Sequence, residues 1–465
     1  MNDLMKFIKS TGIYLLGNVL SKAASFLLLP LYTNYLSPND YGVYDLSIAY
    51  NSFLISILFL DIWDGTMRFM FDYKDDDKNK PITIGFIMFM ISSILYGAVL
   101  LILGHFLGLK YLELLFLVGI TSNFQQVVGY IARGLGKNYA FVLYGLVGSV
   151  TTLVTNIVLL TVFNFDYRAL YISTIVGMAL NILGLSYSID LKSRISKVFF
   201  SSALFREMVR YSLPLCVNSA AWWFLTGFNR VIISERLSAA DNGMYAVATK
   251  FSSMLMLVTT GFQMAWQEFS YSRIEISDEE KDTLYSRAIN EYSKFLYLGL
   301  MAILPVIKII FPYFIGNEYS SAISLVPIVL YATFFSSIAA FLASIINVLK
   351  KNQFIFFSTL SSAIVNVVVL LALLDIIGIQ AATISLCCGY FVNFIIRTRL
   401  VKKFVGLRIN YLQFTAFTLL FFLVVYVYIR GSIQLNLLMF IGVMILFFVS
   451  YRRQITGMIN SSIKK

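Results

Sequence analysis

Charged residues are scarce in this chain of 465 residues. Asp, Glu, Lys and Arg together make up 13% of it, whereas hydrophobic residues make up 59% and the mean hydropathy is +0.79. In a soluble domain about a quarter of the residues are charged. The composition therefore excludes an ordinary soluble protein. It predicts an all-α, polytopic membrane protein, because each crossing of the hydrocarbon layer takes about 20 mostly apolar residues.

Residues that bind metals or act as catalytic nucleophiles are also few. The three cysteines lie inside apolar runs at Cys216, Cys387 and Cys388, and His105 is the single histidine. They have no metal-ligand spacing, and no G-x-x-x-x-G-K-[ST] motif is present to bind a nucleotide. We therefore expect a protein that is not an enzyme, holds no cofactor or metal and does not itself hydrolyse nucleotide.

Long apolar runs predict about 14 transmembrane helices. Several of these runs are longer than the bilayer is thick, which favours tilted or kinked helices. The predicted spans cover residues 12–36, 41–63, 81–104, 112–132, 139–163, 169–190, 209–235, 241–271, 288–314, 320–349, 353–374, 377–396, 411–429 and 435–451.

The basic residues alternate between the two sides of this arrangement. Of the 36 Lys and Arg residues, 27 fall in the segments that share a side with the amino terminus, four fall in the segments opposite, and five fall within spans. Positive residues favour the cytoplasmic side of a membrane protein, so both termini are predicted to be cytoplasmic. The net charge of +12 then reflects topology and attraction to anionic membrane lipids rather than binding of nucleic acid.

One polar stretch occurs twice in the chain. The frame L-S-x-x-D-x-G-x-Y stands at Leu36–Tyr44 and returns 201 residues later at Leu237–Tyr245, each time between two apolar runs. Similarity at this range is typical of internally duplicated transporters. We therefore predict two six-helix lobes related by a pseudo-twofold axis along the membrane normal. The predicted segments are the first lobe (1–190), a cytoplasmic linker (191–205), the second lobe (206–405), and helices 13 and 14 with the tail (406–465).

Three cations are predicted to lie well inside the membrane. Lys22 and Lys250 are each about ten residues from a span end, which places them roughly 15 Å deep, and Arg230 lies nearer the outer surface. Such charges usually face a cavity and mark function. Asn18 shares a helical face with Lys22. A cationic midplane predicts an anionic cargo such as a phosphate or pyrophosphate.

A second interpretation of these polar positions stays open, since polar stripes also hold neighbouring helices together in membranes. Two further cations within spans, Lys294 and Lys308, are close enough to an interface to extend to it. Acidic residues are almost absent from the middle of the spans. They stand at predicted cytoplasmic ends as Asp61, Asp64 and Glu268, and at predicted outer ends as Asp45 and Glu235.

With these residues in view, the chain resembles polysaccharide flippases of the multidrug/oligosaccharidyl-lipid/polysaccharide exporter superfamily. The resemblance extends over the first twelve predicted helices. Besides the repeated frame, the motifs that carry it are G-N-x-x-S-K at Gly17–Lys22, D-x-x-D-G-x-x-R at Asp61–Arg68, R-G-L-G-K at Arg133–Lys137, N-R-V-I-I at Asn229–Ile233 and F-Q-M-A-W at Phe262–Trp266.

The resemblance implies a function in making cell-surface polysaccharide. An undecaprenyl-diphosphate-linked oligosaccharide would move from the inner to the outer leaflet of a bacterial cytoplasmic membrane by alternating access, coupled to H⁺ or Na⁺ antiport. We expect a monomer that works alongside polysaccharide polymerase machinery. Position 229 departs from the family, which commonly has an acid there, so its part in gating or coupling is open.

The residues are assigned three roles in this scheme. Lys22, Arg230 and Lys250, with Asn18, would bind the diphosphate in the cavity, and Arg68 and Arg133 would capture it at the cytoplasmic mouth. Asp61 or Asp64 would pair with Arg68 to lock one state, and Glu268 and Asn229 are further candidates for gating or coupling. Two other functions remain open: a multidrug or cation exporter of the same superfamily, and a membrane glycan polymerase or ligase.

Overall fold

Helices make up nearly all of the described chain. The computed structural model describes residues 26–271, 278–349, 351 and 353–463, and no β-strand occurs among them. Three short 3₁₀ helices, at Asp75–Lys78, Lys197–Phe199 and Asn317–Ser324, accompany the α-helices. The α-helices are α1 (Leu29–Tyr35), α2 (Pro38–Leu58), α3 (Ile62–Met70), α4 (Asn79–Leu107), α5 (Leu112–Gly134), α6 (Asn138–Thr161), α7 (Arg168–Ser188), α8 (Leu191–Arg194), α9 (Ser202–Thr226), α10 (Phe228–Arg236), α11 (Ala239–Tyr271), α12 (Asp278–Phe314), α13 (Val326–Val348), α14 (Gln353–Ile377), α15 (Gln380–Phe404), α16 (Tyr411–Arg430) and α17 (Ile433–Ile463).

Ten of the described helices are long and apolar enough to cross a membrane, and α2 with α3, bent by 44° at their break, passes the same test together as a broken span or a re-entrant loop. These helices correspond to predicted spans, so the predicted all-α, polytopic class is confirmed. Most of the first predicted span lies outside the described residues. The seventh and eighth are helical, as α9 with α10 and as α11, but they carry too many polar residues to meet the same test of apolarity.

The chain divides by its internal contacts into two compact units, Met1–Ala246 and Val247–Lys465. The predicted boundaries at residues 190, 205 and 405 follow the sequence repeat instead of these contacts, and they stay a prediction. The predicted linker contains α8 and a 3₁₀ turn, and Val198 within that turn is 86% exposed.

In the first unit, α7 packs against α5 and α6, while α3 packs against α4 and α5. Tyr96 of α4 is fully buried, and its single hydroxyl proton is shared between Asn51 Oδ1 at 2.6 Å and the Leu115 carbonyl at 3.1 Å. This tyrosine joins α2, α4 and α5 where a purely apolar side chain would leave the Asn51 amide oxygen unpaired, which is costly in a buried site.

In the second unit, α15 packs against α13 and α14. Arg397 of α15 is 3% exposed, and its guanidinium donates to Ser358 Oγ at 2.9 Å, to the Ala339 carbonyl at 2.8 Å and to Thr359 Oγ1 at 3.2 Å. These acceptors belong to α13 and α14, so one side chain fixes three helices. All three acceptors are neutral oxygens.

The last two helices are attached to α12 by the extended segment that precedes them. Asp282, Ser286 and Asn290 stand four residues apart on α12, and each accepts a backbone N–H from the segment, at 2.7, 2.8 and 2.9 Å respectively. The donors alternate along the segment as Gly406, Arg408 and Asn410. Four residues of helix rise roughly 6 Å and two residues of extended chain roughly 6.6 Å, so the two spacings match.

Candidate functional site

The two copies of the repeated frame begin two helices in the same way. Ser37 precedes α2, where its Oγ accepts the Asp40 N–H at 3.1 Å and donates to the Asp40 carboxylate at 2.9 Å. Ser238 precedes α11 and makes the same pair of bonds with Asp241, at 3.0 and 2.5 Å. A serine cap with an acid in the first turn satisfies free N–H groups and favours the helix dipole. The L-S-x-x-D frame is therefore a helix start in both places.

The two helix starts also pack against each other. A Cβ atom on Gly42 would lie 1.7 Å from the Ala239 carbonyl oxygen, and one on Gly243 would lie 2.1 Å from the Pro38 carbonyl oxygen. Since 42 corresponds to 243 and 38 to 239 in the repeat, the contact is reciprocal. Any side chain at either glycine would push the helices apart. We call residues 37–45 together with residues 230–245 the repeat contact.

An ion pair lies next to this glycine crossing. Arg230 of α10 donates from Nε to Asp45 Oδ2 of α2 at 2.6 Å, and the two side chains are 21% and 16% exposed. The guanidinium also donates to the Thr226 carbonyl and lies 5.7 Å from the centre of the Tyr245 ring. Arg230, predicted as a ligand for cargo, thus has its charge balanced by an acid in this structure.

Neutral hydrogen bonds extend the repeat contact on both sides of the ion pair. Asn242, fully buried, donates to the Gly42 carbonyl at 2.8 Å. Asn229 is also fully buried and donates to the Tyr245 hydroxyl at 3.4 Å. Further from the glycines, α9 joins α2 through Trp223, whose indole N–H donates to the Ala49 carbonyl at 2.7 Å. The repeat contact therefore combines close backbone packing, one ion pair and buried amide groups.

This arrangement can be compared with known proteins. Residues 7–267, more than half of the chain, match the family model described as "Polysaccharide biosynthesis protein". The chain belongs to this polysaccharide biosynthesis family. One protein with a similar sequence is Lsg locus putative protein 1 of Haemophilus influenzae. It is 25% identical over 333 residues, which cover 68% of this chain and 79% of the relative.

Solved structures show that this family member has the fold of known membrane transporters. The lipid II flippase MurJ in an inward closed conformation aligns with a TM-score of 0.72 at 14% identity, covering 95% of this chain and 99% of MurJ. A MATE multidrug transporter of the MOP superfamily, inward-facing, aligns with a TM-score of 0.71 at 14% identity, covering 83% and 94%. At such identities the likeness concerns the fold. It agrees with the apolar spans in describing a multi-pass membrane protein.

The break between α2 and α3 positions the first predicted acid. Leu60 and Asp61 both adopt left-handed backbone conformations, with φ of 53° and 48°, which L-residues other than Asn and Asp seldom adopt. The α2 helix cannot continue through them, and the Asp61 carboxylate turns to accept a hydrogen bond from Ser219 Oγ of α9 at 2.5 Å. Strained backbone of this kind is often found at functional sites.

The predicted pairing of Asp61 or Asp64 with Arg68 is not present in this structure. Arg68 donates instead to Asp72 at 2.7 Å, and both side chains are about half exposed. The reason is local: Asp72 lies four residues after Arg68, one helical turn away at the end of α3, so the pair forms without any contact between distant segments. Asp64 interacts electrostatically with Arg133.

Arg133, at the end of α5, lies against aromatic rings. Its guanidinium carbon is 4.9 Å from the centre of the Tyr130 ring and 5.7 Å from that of Phe141. The two arginines predicted at the cytoplasmic mouth thus have different surroundings. Arg68 is exposed beside Asp72, and Arg133 lies against the rings of Tyr130 and Phe141. Their role in capturing cargo stays a prediction.

The remaining predicted site residues are Lys22, Asn18, Glu268 and Lys250. Lys22 and Asn18 precede the described part of the chain. Glu268 belongs to α11, but its side chain is not among those described. Lys250 is half-buried on α11 in the second unit. A shared cationic cavity of Lys22, Arg230 and Lys250 therefore stays a prediction.

Sequence reasoning missed Asp45 as the partner of Arg230 and missed the two glycines as a contact. The signal for the glycines was in the sequence, because Gly42 and Gly243 are identities of the repeated frame. No signal of that kind marked Asp45. Its repeat equivalent is Ala246, so the acid is on one copy only, and 185 residues separate it from Arg230.

Proposed function

We propose that this protein carries a polyprenyl-diphosphate-linked oligosaccharide, in the form of an undecaprenyl-diphosphate lipid, from the inner to the outer leaflet of a bacterial cytoplasmic membrane. It does so by alternating access, for the synthesis of cell-surface polysaccharide. Both termini face the cytoplasm, and the protein works as a monomer beside polysaccharide polymerase machinery. The family description and the MurJ-like fold support a transporter of lipid-linked precursors.

The observation that carries the proposal is the repeat contact. By the distribution of basic residues, the starts of α2 and α11 lie at the outer surface. There the glycine crossing, the Arg230–Asp45 pair and the buried Asn242 join α2 to α10 and α11. We assign this contact as the outer gate in its closed state. Conformations of the two solved neighbours described as inward support the same assignment.

The gate has the energetic properties of a switch. The Arg230–Asp45 ion pair, neutral hydrogen bonds and close backbone contact at Gly42 and Gly243 hold it together. Conformational equilibria that differ by a few kcal/mol can be shifted by a ligand that binds one state better. Cargo whose two negative phosphates bind one state better than the other would supply that difference.

The strained turn at Leu60 and Asp61 gives the opposite end of α2 a role in the same movement. α2 carries the gate at one end and the break at the other, so α3 can tilt about the break while α2 remains straight. Such a tilt would move Asp61 and so change its hydrogen bond with Ser219 of α9. Coupling to H⁺ or Na⁺ antiport would use this carboxylate or Asp64.

Transport in liposomes tests the proposal directly. The purified full-length protein is reconstituted with a fluorescent polyprenyl-diphosphate oligosaccharide, and the fraction of lipid open to a membrane-impermeant quencher is followed with time, with and without a pH or Na⁺ gradient. We expect protein-dependent movement. Lys22→Gln together with Lys250→Gln should slow it at least tenfold, whereas the matched control Lys308→Gln should leave it unchanged.

The alternatives give different results in the same preparation. A cation exporter would move a lipophilic cationic dye and leave the lipid-linked sugar in place. A polymerase or ligase would change the length of the sugar without changing its leaflet. Unchanged transport in the Lys22→Gln, Lys250→Gln double variant would show that the cationic cavity has been wrongly assigned.

A further inference from the structure

A short stretch of the linker between α7 and α9 exposes apolar side chains. The 3₁₀ turn at Lys197–Phe199 follows α8, and Val198 within it is 86% exposed. Phe200, the first residue after the turn, is 47% exposed. We call residues 197–200 the linker tip. Apolar side chains that are exposed together often mark a surface for a membrane or another partner.

Hydrogen bonds to α4 fix the backbone just before the linker tip. The Arg194 carbonyl accepts the Thr83 hydroxyl at 3.1 Å, and Thr83 Oγ1 in turn accepts the Ser196 N–H at 3.4 Å. The Arg194 guanidinium donates to Asn79 Oδ1 at 3.2 Å and to the Ile189 carbonyl at 2.7 Å. Thr83 and Asn79 are both buried. The tip therefore belongs to a turn with a defined shape, which lowers the entropy that it would lose on binding.

The charged residues around the linker tip give this surface a positive balance. Four of the exposed charged side chains between the end of α7 and the first turns of α9 are basic and two are acidic. They are Asp190, Lys192, Lys197, Arg206, Glu207 and Arg210. Basic residues next to membrane helices attract anionic lipid headgroups. The charge thus favours an anionic partner for the tip.

The linker tip also lies close to the membrane surface. The linker joins α7, an apolar span, to α9, which begins the seventh predicted span. Tyr187, in the last turn of α7, is 86% exposed, and tyrosine is enriched where the hydrocarbon meets the lipid headgroups. By the distribution of basic residues, this end of α7 is the cytoplasmic one. The surface next to the tip is then the inner leaflet.

The size of the linker tip favours a lipid surface over a protein. A specific protein interface covers about 800 Å² on each partner. A buried phenylalanine contributes only about 200 Å², and a valine is smaller. Binding to a membrane, by contrast, takes apolar side chains at the headgroup boundary with Lys or Arg beside them. Val198 and Phe200 with their basic neighbours have that composition.

We propose that the linker tip inserts Val198 and Phe200 into the inner leaflet, and that Lys192, Lys197 and Arg206 bind the phosphates of anionic phospholipids there. The inserted tip fixes the level of the linker in the membrane. It thereby fixes the place where the two predicted lobes are joined.

The test uses the full-length protein, with its native cysteines replaced, in nanodiscs of phosphatidylcholine with or without phosphatidylglycerol. A fluorophore is attached at Val198→Cys, and its quenching by acrylamide in the water is compared with its quenching by nitroxide-labelled lipid. With phosphatidylglycerol present, the lipid should quench the probe and acrylamide should not. The matched control is Asp76→Cys, at an exposed position of the 3₁₀ helix Asp75–Lys78, where acrylamide should quench and the lipid should not.

The part played by the basic residues is measured by varying the phosphatidylglycerol content. Lys197→Gln should raise the content that gives half-maximal shielding from acrylamide about fivefold, because it removes the attraction of one basic residue for anionic headgroups. Lys403→Gln, at an exposed position of α15 in the second unit, should leave that content unchanged. All the substituted positions are exposed, so each variant should fold like the parent.

Three outcomes would each overturn the proposal. A Val198 probe as open to acrylamide as the Asp76 probe would show that the tip is a plain loop in water. Equal shielding in phosphatidylcholine alone would show that the basic residues do not recruit anionic lipid. Shielding only after addition of a membrane-free cytosolic extract would show that a protein covers the tip. None of these measurements requires transport, so such a failure would leave the proposed function standing.

Discussion

Removing the acid from the Arg230–Asp45 pair is expected to open the repeat contact. Asp45→Asn keeps the size of the side chain but leaves the guanidinium without a countercharge. Breaking a buried pair by removing one partner costs about 3–5 kcal/mol. Since the two side chains here are 21% and 16% exposed, water compensates part of this, and we expect about 2 kcal/mol. That corresponds to roughly a 30-fold shift of the equilibrium between closed and open forms.

The shift is measured as a distance between spin labels at equivalent positions of the two repeats, Asn39→Cys and Ala240→Cys, in a chain whose native cysteines are replaced. The parent should give one short distance in detergent. Asp45→Asn and Arg230→Gln should each add a population at longer distance, and the double variant should add less than the two effects combined, because neither charge is then left alone.

The control is Asp166→Asn, which breaks a local pair with Arg168 at 2.8 Å whose side chains are 45% and 35% exposed. Exposed pairs of this kind contribute under about 1 kcal/mol, so the label distance should not change. The reasoning is refuted if Asp45→Asn and Arg230→Gln both leave the distance distribution of the parent unaltered, or if the two effects simply add.

Three other predictions concern packing and can be checked on purified protein. Gly42→Leu and Gly243→Leu should lengthen the same label distance to similar extents, because each inserts a side chain against the backbone of the other repeat, whereas Gly299→Ala, which meets open space, should not. Arg397→Lys should lower the unfolding temperature by several degrees, since a lysine cannot make all three bonds to Ser358, Thr359 and the Ala339 carbonyl, while the same change at exposed Arg399 should have little effect. Ser286→Ala should destabilise the segment before α16 by about 1 kcal/mol and speed amide exchange at Arg408, and exchange at the Leu109 amide should be unaffected.

Much of the fold could be predicted because its signals are local. A span of about 20 apolar residues is visible in any window of the sequence, and so is a serine followed by an acid three residues later. Ser37 with Asp40 and Ser238 with Asp241 both begin helices for that reason. The alternation of basic residues between loops also predicts the orientation of the chain in the membrane. That prediction uses the whole sequence but needs no knowledge of contacts between helices.

The partners of the charged groups could not be predicted in the same way. Arg68 took Asp72, a neighbour one turn away, in preference to the acids of its own motif. Arg230 pairs with Asp45, which is 185 residues away in the sequence. Arg397, which directly follows a predicted span, is buried and bonded to neutral oxygens. For Arg230 and Arg397 the partners depend on how helices pack, and hydrophobic periodicity carries no information on that.

The reciprocity of the glycine crossing has a consequence for any shortened form of the protein. A contact in which each copy offers the other the same surface is the geometry of a twofold homodimer, here made within one polypeptide. A fragment that retained only Leu36–Tyr44 would lack its usual counterpart. It would regain the crossing only by forming a dimer with a second copy of the fragment. Gly42 of each copy would then lie opposite the Pro38 carbonyl of the other.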